Sequence, residues 1–420
     1  MRREFAREGL GYVLRVPELT IEIAVDRLSR TRGELHGELS VACGLPGTRS
    51  ADGHLHNARF NLSGGTTRGS LAKVLAKRAN TDDVDWEDLL EDFCRRVMAA
   101  EREGDPIESV GALPIPVGES YRVEPLLPLD QVTILYGDGG TGKSTLAVAL
   151  SVSVQEGVAL LDRWTPRRAP ILYLDWEAGR ASINRRVRGV AMGAHIPRVV
   201  TIDYLNCRRR GALYTFAEDV ARMVDVRGYG MVVIDSVGMA AGTGGEGTDA
   251  NESAIRLFGA FGFIGTTVLA IDHVNRADAD TSNRRSRPYG SIYKSNLARA
   301  TFELRRTKTV QGSVLGLYHT KANDSELLPP QPISVAYGDQ GEISYERLDA
   351  MPVALTTSLS LLDRITALLT RERMSSDDIA DELDHEKRKV EALLYKYKSR
   401  FNRLPSGVWE LLPEAVDHAV

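Results

Sequence analysis

The sequence predicts an α/β protein whose centre is a twisted parallel sheet, with a small α+β domain before it and three helices and a hairpin after it. Two observations support this prediction. A strand-like run enters a glycine-rich turn and continues as an apolar helical run over residues 131–154. Apolar strand runs then alternate with helical patterns, which is typical of a parallel sheet with crossover helices.

Length and composition limit the remaining choices. A chain of 420 residues suggests two or three domains, and 43% hydrophobic with 26% charged residues is an ordinary globular composition. No apolar run reaches the roughly 18 residues of a membrane span, and the first residues lack the apolar segment of a secretory signal, so we expect a cytoplasmic protein. The formal charge of −4 gives no general attraction to nucleic acid, so such binding requires local basic patches.

The cysteines and the paired histidines do not indicate a metal site. Cys43, Cys94 and Cys207 are odd in number and far apart, which predicts neither a disulfide framework nor a zinc site. His54 and His56 lie two residues apart on one predicted strand, but no third ligand is near. We therefore interpret both histidines as polar strand residues.

The first domain is expected at residues 1–104. Alternating apolar residues predict antiparallel strands, and two amphipathic patterns predict helices after them. The predicted strands are 19–25, 33–41 and 54–62, and the predicted helices are 70–78 and 86–102. Residues 105–120 are rich in Pro and Gly and are predicted to be a linker.

The core is expected at residues 121–348. Its strands are predicted at 132–136, 171–174, 199–204, 231–234 and 267–271, with helices that include 178–192 and 215–226. In a parallel sheet of this kind, chemistry collects where the strands end at their carboxyl edge.

The glycine-rich turn after the first core strand predicts a phosphate cradle. Gly137, Gly142, Lys143 and Ser144 fit the pattern G-x-x-x-x-G-K-[ST], in which the lysine reaches the β- and γ-phosphates and the hydroxyl ligates Mg²⁺. The following helix directs its N-terminus at the same anion. The residues expected to bind the nucleotide are Gly137, Asp138, Gly139, Gly140, Thr141, Gly142, Lys143, Ser144 and Thr145.

Three further strand ends carry polar side chains suited to this chemistry. Four apolar residues end in Asp235, which is expected to hold Mg²⁺ through a water. An earlier strand ends in Asp175 and Glu177, and one of these two carboxylates is expected to deprotonate the attacking water. His273 ends a third strand, where an imidazole can donate to the γ-phosphate; a solvated polar strand end is the alternative interpretation.

These motifs resemble those of RecA-like P-loop ATPases in order and approximate spacing. The plasmid RepA-type and DnaB-like hexameric replicative helicases are the most similar members. The resemblance implies a RecA-like core that binds ATP and Mg²⁺, with Ser144 and Asp235 at the metal, Glu177 as the catalytic base and His273 as the sensor.

The resemblance also implies that a cation acts on the ATP of a neighbouring subunit. Arg299 is the expected arginine finger and Lys321 an additional cation at the nucleotide. Arg305 and Arg306 compete with Arg299 for that role. The alternative for all three arginines is a solvated basic strand edge.

Two loops that leave the catalytic edge correspond to the loops that bind single-stranded nucleic acid in RecA-like rings. The loop after Asp235 carries no positive charge, whereas the loop after His273 contains arginines suited to phosphate contacts. These arginines are Arg276, Arg284, Arg285 and Arg287. An ordinary solvated loop is the alternative.

The last unit, at residues 355–415, resembles a winged helix-turn-helix. Helices are predicted at 359–371, 376–383 and 386–397, and a hairpin at 401–412. Lys387, Arg388 and Lys389 in the third helix suit a DNA backbone. A protein-docking winged helix with solvated lysines is the alternative.

The function predicted from these features is Mg²⁺-dependent ATP hydrolysis coupled to translocation on single-stranded DNA. The protein is expected to form a homo-oligomeric ring, a hexamer, and to act as a replicative-type DNA helicase, with duplex DNA as a further partner through the winged helix. Two alternatives stay open: a RecA-like recombination or repair ATPase that forms filaments on DNA, and an ATP-switched DNA-binding regulator.

Overall fold

The computed structural model describes residues 2–50, 52–104, 107, 109, 120–242, 249–274, 292–309, 312–356 and 361–412. The chain divides into two compact units, Met1–Ile115 and Pro116–Val420. Within the described ranges, no helix combines the length and apolarity needed to cross a bilayer.

The first unit is a five-stranded antiparallel sheet covered by two helices. The strands pair in chain order, and they are β1 (Glu4–Glu8), β2 (Gly11–Val16), β3 (Ile21–Thr31), β4 (Glu34–Cys43) and β5 (His54–Asn61). The helices are α1 (Gly65–Ala79) and α2 (Trp86–Glu103). Asp85 caps α2 by accepting from the amide of Asp88 at 3.0 Å. The buried face of α2, which includes Leu90 and Phe93, packs on the apolar face of the sheet.

The second unit is built on a nine-stranded, mostly parallel sheet. In chain order its segments are β6 (Tyr121–Glu124), β7 (Leu127–Pro128), β8 (Val132–Gly137), α3 (Lys143–Glu156), β9 (Thr165–Pro166), β10 (Ile171–Asp175), α4 (Arg180–Gly193), β11 (Asp203–Asn206), α5 (Ala217–Arg227), β12 (Met231–Asp235), α6 (Val237–Ala240), α7 (Ala250–Ile264), β13 (Thr267–His273), α8 (Ile292–Leu297), β14 (Ala300–Thr309), β15 (Gly312–Ala322), β16 (Gln331–Tyr337) and β17 (Ile343–Arg347).

The strand order of the sheet is β11-β10-β12-β13-β8-β14-β15-β16-β17. The first six of these strands pair in parallel and the last three join antiparallel. A mixed α/β core with a large parallel sheet is therefore confirmed, and it is consistent with a RecA-like arrangement. The small strands β6, β7 and β9 form a separate three-stranded sheet.

One predicted core strand is wrong in its position. The apolar run predicted a strand at 199–204, but β11 begins only at Asp203 and ends at Asn206. Val199 is 85% exposed and Val200 is buried, so the start of this run lies outside the sheet, and of the predicted strand only Asp203 and Tyr204 belong to β11. The strand that does form pairs on only one side, with β10.

The parallel register brings four strand ends to one edge. Asp175 of β10 lies beside Asp235 of β12, and His273 of β13 lies beside Gly137 of β8. Because β12 and β13 are also neighbours, all four residues lie along the same carboxyl edge.

The chain ends in a one-turn helix, followed by three further helices and a three-stranded sheet that share their own small core. The segments are α9 (Val353–Thr356), α10 (Leu361–Arg371), β18 (Met374–Ser375), α11 (Ser376–Glu382), α12 (Lys387–Lys396), β19 (Phe401–Arg403) and β20 (Val408–Leu411). The strands are ordered β18-β20-β19. Ile365, Ile379 and Val390, one from each of α10, α11 and α12, are fully buried with Trp409 of β20.

Candidate active site

The glycine-rich turn connects the end of β8 to the first turn of α3. Gly140 and Gly142 have φ values of +78° and +99°, which L side chains rarely adopt. At Gly137 a Cβ atom would lie 2.3 Å from the carbonyl oxygen of Leu304, so the approach of β14 excludes any side chain there. The turn therefore has the tight backbone that a phosphate cradle requires.

The lysine of this turn is buried, and its hydrogen bonds within the described residues go to backbone carbonyls. The Nζ atom of Lys143 donates to the oxygens of Gly137 at 2.8 Å and Asp138 at 2.7 Å. Burial lowers the pKa of Lys143. Among the described residues no carboxylate forms an ion pair with it. A buried ammonium at a helix N-terminus, held by neutral oxygens, suits an anionic ligand.

Asp235 is the buried carboxylate that faces the turn. Its side chain is 1% exposed and accepts hydrogen bonds from the Ser144 hydroxyl and, at 2.7 Å, from the Tyr173 hydroxyl. Burial raises the pKa of Asp235, and these two hydrogen bonds act in the opposite direction. The neighbouring strands β10 and β12 thus place a tyrosine behind the carboxylate predicted to serve the metal.

Asp175, the first acid at the end of β10, is surrounded by hydrogen-bond donors. Its Oδ1 accepts from the amides of Glu177 and Ala178, and its Oδ2 accepts from the amide of Gly179 at 2.6 Å and from the hydroxyl of Tyr204 at 2.7 Å. The residue is completely buried. With its oxygens engaged in this way, Asp175 shapes the turn and leaves Glu177 as the acid that faces the site.

Glu177 is partly exposed and its carboxylate lies beside two polar side chains, Ser236 and His273. Its Oε1 accepts from the Ser236 hydroxyl and lies 3.8 Å from Nε2 of His273, a distance too long for a hydrogen bond. His273 beside it holds the pKa of Glu177 below its usual value, although partial burial opposes this. The carboxylate therefore stays ionised and available as a proton acceptor at neutral pH.

The residue before His273 forms a buried ion pair. Oδ2 of Asp272 lies 2.9 Å from Nζ of Lys294, and the two side chains are 1% and 8% exposed. Burial raises the pKa of Asp272 in spite of the ammonium. The other oxygen of Asp272 accepts from the amide of His273 at 2.9 Å, so the pair fixes the backbone that presents the imidazole.

The residues present fit a nucleoside triphosphate with Mg²⁺. The Ser144 hydroxyl and the Asp235 carboxylate are oxygen donors, the type that Mg²⁺ prefers, and they already lie in hydrogen-bonding contact. In the described part of the chain no group of three or more His, Cys, Asp or Glu side chains forms a metal site of its own. A magnesium ion held by two protein oxygens and the phosphates is the arrangement typical of such sites.

The basic residues of β14 and β15 occupy different positions. Arg299 is exposed just before β14, whose residue Ala300 pairs with Thr133 near the start of β8, so Arg299 lies toward the sheet edge opposite Gly137. Lys321 caps α8, and its Nζ lies within 2.8 Å of the carbonyl oxygens of Ser295, Asn296 and Ala298. The assignment of these two residues to a neighbour's nucleotide stays a prediction.

Arg305 and Arg306, the other two candidates for the arginine finger, contact different groups within the chain. Arg305 forms a bidentate ion pair with Glu303, with bonds of 2.8 and 3.0 Å. Arg306 donates from Nη1 to the carbonyl of Gly140 at 3.1 Å. The latter contact fixes the phosphate-binding turn of its own chain.

Only some of the residues predicted to bind nucleic acid lie in the described part of the chain. Arg276, Arg284, Arg285 and Arg287 lie outside the described residues, as do residues 243–248 of the other loop. In α12, Arg388 is exposed, Lys387 pairs with Asp377 at 2.7 Å and Lys389 pairs with Glu386 at 3.3 Å. Such exposed pairs are weak, so both lysines keep the ability to exchange a carboxylate for a phosphate.

Several residues of the site were not identified from the sequence. Tyr173 donates to Asp235 and Tyr204 donates to Asp175. Lys294 forms an ion pair with Asp272, and all three contacts join positions far apart in the chain. The run Arg208-Arg209-Arg210, by contrast, carries a signal in the sequence, because three consecutive arginines begin four residues after the end of the strand predicted at 199–204.

A separate cleft of about 720 Å³ contains none of the phosphate-binding residues. It lies among the ends of β14 to β16, the segment before β16, and α10. Its lining does not include Gly137 to Thr145, Glu177 or Asp235. The cleft is therefore distinct from the candidate nucleotide site.

Comparison with known proteins supports the ATPase assignment. Residues 111–279 match the family described as "AAA domain". No curated protein matches the chain. Among solved structures, it is similar to a KaiC-like protein from the hyperthermophilic archaeon Pyrococcus horikoshii OT3, with 18% sequence identity, coverage of 57% of this chain and 99% of that chain, and a TM-score of 0.39. The domain match together with the site geometry supports a P-loop ATPase.

Proposed function

We propose that this protein hydrolyses ATP with Mg²⁺ and uses the energy to move along single-stranded DNA as a ring-shaped, replicative-type helicase. The observation that carries the proposal is the convergence of Lys143, Asp235, Glu177 and His273 at one sheet edge. An ionised, partly exposed carboxylate beside a phosphate cradle is suited to accept the proton of a water that attacks the γ-phosphate.

The roles of the side chains follow from their contacts. Lys143 exchanges the carbonyls of Gly137 and Asp138 for phosphate oxygens, which bring the opposite charge. Ser144 and Asp235 hold Mg²⁺, which neutralises phosphate charge when bound. Glu177 accepts the proton of the attacking water, and the nearby imidazole of His273 donates to the γ-phosphate.

The proposal of a ring depends on completion of the site by a neighbouring subunit. Arg299 lies just before β14, the strand next to β8, and beside the start of β8 rather than the end that carries the phosphate-binding turn, so it lies away from the nucleotide site of its own chain. A head-to-tail assembly brings such a residue to the neighbour's nucleotide, and a closed rotation gives a ring whereas an open one gives a filament. This supports Arg299 as the trans-acting cation.

The DNA part of the proposal rests on the position of the site and on the basic sequence after it. The segments that follow Asp235 and His273 leave the edge that carries the catalytic residues, so a strand bound there would be close to the hydrolysis step. The arginines at 276, 284, 285 and 287 supply the phosphate contacts. The C-terminal unit, with its three helices and hairpin, is proposed to be a winged helix that contacts duplex DNA through Lys387, Arg388 and Lys389.

A strand-displacement assay on the wild type and Lys143→Ala tests this function. We expect ATP-dependent displacement and an ATPase rate stimulated by single-stranded DNA in the wild type, and neither activity in Lys143→Ala. An ATPase rate that is indifferent to single-stranded DNA contradicts the proposal. Tight binding to duplex DNA without displacement indicates the ATP-switched regulator.

Mixing two inactive variants tests the shared site. Lys143→Ala chains retain Arg299, and Arg299→Ala chains retain Lys143, so random co-assembly restores about a quarter of the interfaces. We expect the mixture to recover ATPase activity that neither variant has alone. No recovery, despite assembly measured by light scattering, contradicts an Arg299 that acts in trans.

A further inference from the structure

The loop after β11 is a short turn that carries three arginines and is fastened to the Glu177 segment. We call Cys207–Gly211 the arginine turn. The amide of Cys207 donates to the carbonyl of Asp175 at 2.8 Å, and the indole Nε1 of Trp176 donates to the carbonyl of Gly211 at 3.0 Å. Both ends of the turn are therefore bonded to the residues that precede Glu177.

The turn is also connected to Glu177 itself. The guanidinium of Arg208 donates to the backbone carbonyl of Glu177, and the amide of Arg210 closes the turn by donating to Cys207 at 2.9 Å. Burial raises the pKa of the Cys207 thiol to about 12, so this cysteine is a neutral packing residue in the turn. The arginines are thus presented on an ordered support.

The three arginine side chains are exposed and carry uncompensated charge. In the part of the chain that the structure describes, no carboxylate pairs with any of them, and the guanidinium of Arg210 lies 5.7 Å from the ring centre of Phe216. This differs from Arg305, which Glu303 neutralises. A local charge of about +3 on a protein with a net charge of −4 is a surface suited to a polyanion.

The position of the turn favours a nucleic-acid strand as that polyanion. Ala212, the residue directly after the turn, packs against the start of the loop after α6, because a Cβ on Gly242 would lie 2.8 Å from Cβ of Ala212. Three adjacent guanidinium groups offer more contacts than one phosphate can use, whereas successive phosphates of a single strand can each take one.

We propose that the arginine turn binds backbone phosphates of single-stranded nucleic acid, and that Arg208 transmits this binding to Glu177. The inference rests on the proposed function and adds a surface to it. Only Nη2 of Arg208 is bonded to the Glu177 carbonyl, so a phosphate that engages the remaining N–H groups draws on a guanidinium that is attached to this backbone, and strand binding thereby alters the segment that holds the catalytic carboxylate. Arg208 is a positioning residue in this scheme.

The surface is tested by the salt dependence of binding to a fluorescent oligothymidylate. Each phosphate contact to a single strand contributes about 0.7 to the slope of log affinity against log salt concentration. We expect Arg209→Ala/Arg210→Ala to reduce the slope by about 1.4. The control is Arg185→Ala/Arg188→Ala, which removes two exposed arginines from α4 and should leave the slope unchanged.

The outcomes separate this inference from the proposed function. If the wild type does not bind the oligonucleotide, the proposed function fails. If the wild type binds and the double variant keeps the wild-type slope, only the arginine turn is excluded as a contact. A double variant that changes the KM for ATP without changing the slope assigns these arginines to the nucleotide and also overturns the inference.

The connection to Glu177 is tested with Arg208→Ala in the full-length protein. We expect the stimulation of kcat by single-stranded DNA to be lost, while the KM for ATP stays within about twofold, because the phosphate cradle is untouched. Stimulation equal to that of the wild type contradicts the role of Arg208, even if Arg209 and Arg210 bind the strand.

Discussion

The hydroxyl of Tyr173 donates to Oδ2 of Asp235 at 2.7 Å, with both side chains buried on neighbouring strands. An acid at this depth is costly to ionise, and burial raises its pKa. The tyrosine is one of two hydroxyl donors that oppose this effect, and it is the one that does not belong to the phosphate-binding turn. The Tyr173 hydroxyl therefore acts to lower the pKa of Asp235, the carboxylate predicted to serve the metal.

Tyr173→Phe should raise the Mg²⁺ requirement of ATP hydrolysis. A hydrogen bond to a charged group contributes about 1.5–3 kcal/mol, so we expect a loss of apparent Mg²⁺ affinity on the order of tenfold or more. The loss should grow as the pH falls, because removing the donor raises the pKa of Asp235 further and more of it becomes protonated. Initial rates measured against Mg²⁺ concentration at several pH values test this. Tyr204→Phe removes the equivalent donor from Asp175 and should leave the Mg²⁺ requirement unchanged.

Glu177→Gln should separate binding from hydrolysis. Glutamine keeps the size and the contact with Ser236 but cannot accept the proton of the attacking water, so we expect kcat to fall by about 10²–10⁴. The affinity for a fluorescent ATP analogue, measured by titration, should stay within a few-fold of the wild type. If kcat falls less than tenfold, Glu177 is not the base.

His273→Ala should move the acidic limb of the pH–rate profile to higher pH. His273 lowers the pKa of Glu177, so its removal raises that pKa and the base is lost at a higher pH as the solution is acidified. The profile of kcat/KM against pH measures the shift. His54→Ala, a change in the first unit, is the matched control. An unshifted limb with reduced kcat would assign His273 to phosphate sensing alone.

Lys294→Met should destabilise the second unit. It leaves the Asp272 carboxylate buried without its partner, and breaking a buried ion pair in this way costs about 3–5 kcal/mol. Because burial raises the pKa of Asp272, the destabilisation should become smaller at acidic pH, where the lone carboxyl is protonated. Thermal unfolding across pH tests this. Adding Asp272→Asn, which keeps an acceptor for the His273 amide, should restore much of the loss.

The parallel core was predictable because its evidence is local. Apolar runs such as Met231 to Ile234 identify buried strands, and the rule that parallel strands share a carboxyl edge brings Asp235 and His273 together. The strand predicted to begin at Val199 was placed too early, because the apolar character of a residue does not show whether its side chain faces the core or solvent. The start of β11 therefore needed the structure.

The residue pattern alone did not distinguish Asp175 from Glu177, and the assignment of Glu177 as the base came from the family resemblance. Both acids end the same strand two residues apart, and either one can serve as a base. Tyr204 and three backbone amides enclose Asp175, which favours Glu177 as the base, and Tyr204 comes from a different strand. Long-range contacts of this kind leave no pattern near the residues they affect.

Trp176 gives this protein an optical reporter at its centre. The indole is 4% exposed, donates to the carbonyl of Gly211 and lies 6.2 Å from the ring of Phe216, and Trp176 directly precedes Glu177 in the chain. An indole emission spectrum responds to changes in its hydrogen bond and surroundings. Any ligand that shifts the turn should therefore change the intrinsic fluorescence of the protein, and the order of strand binding and ATP cleavage becomes measurable in a stopped-flow experiment without an attached dye.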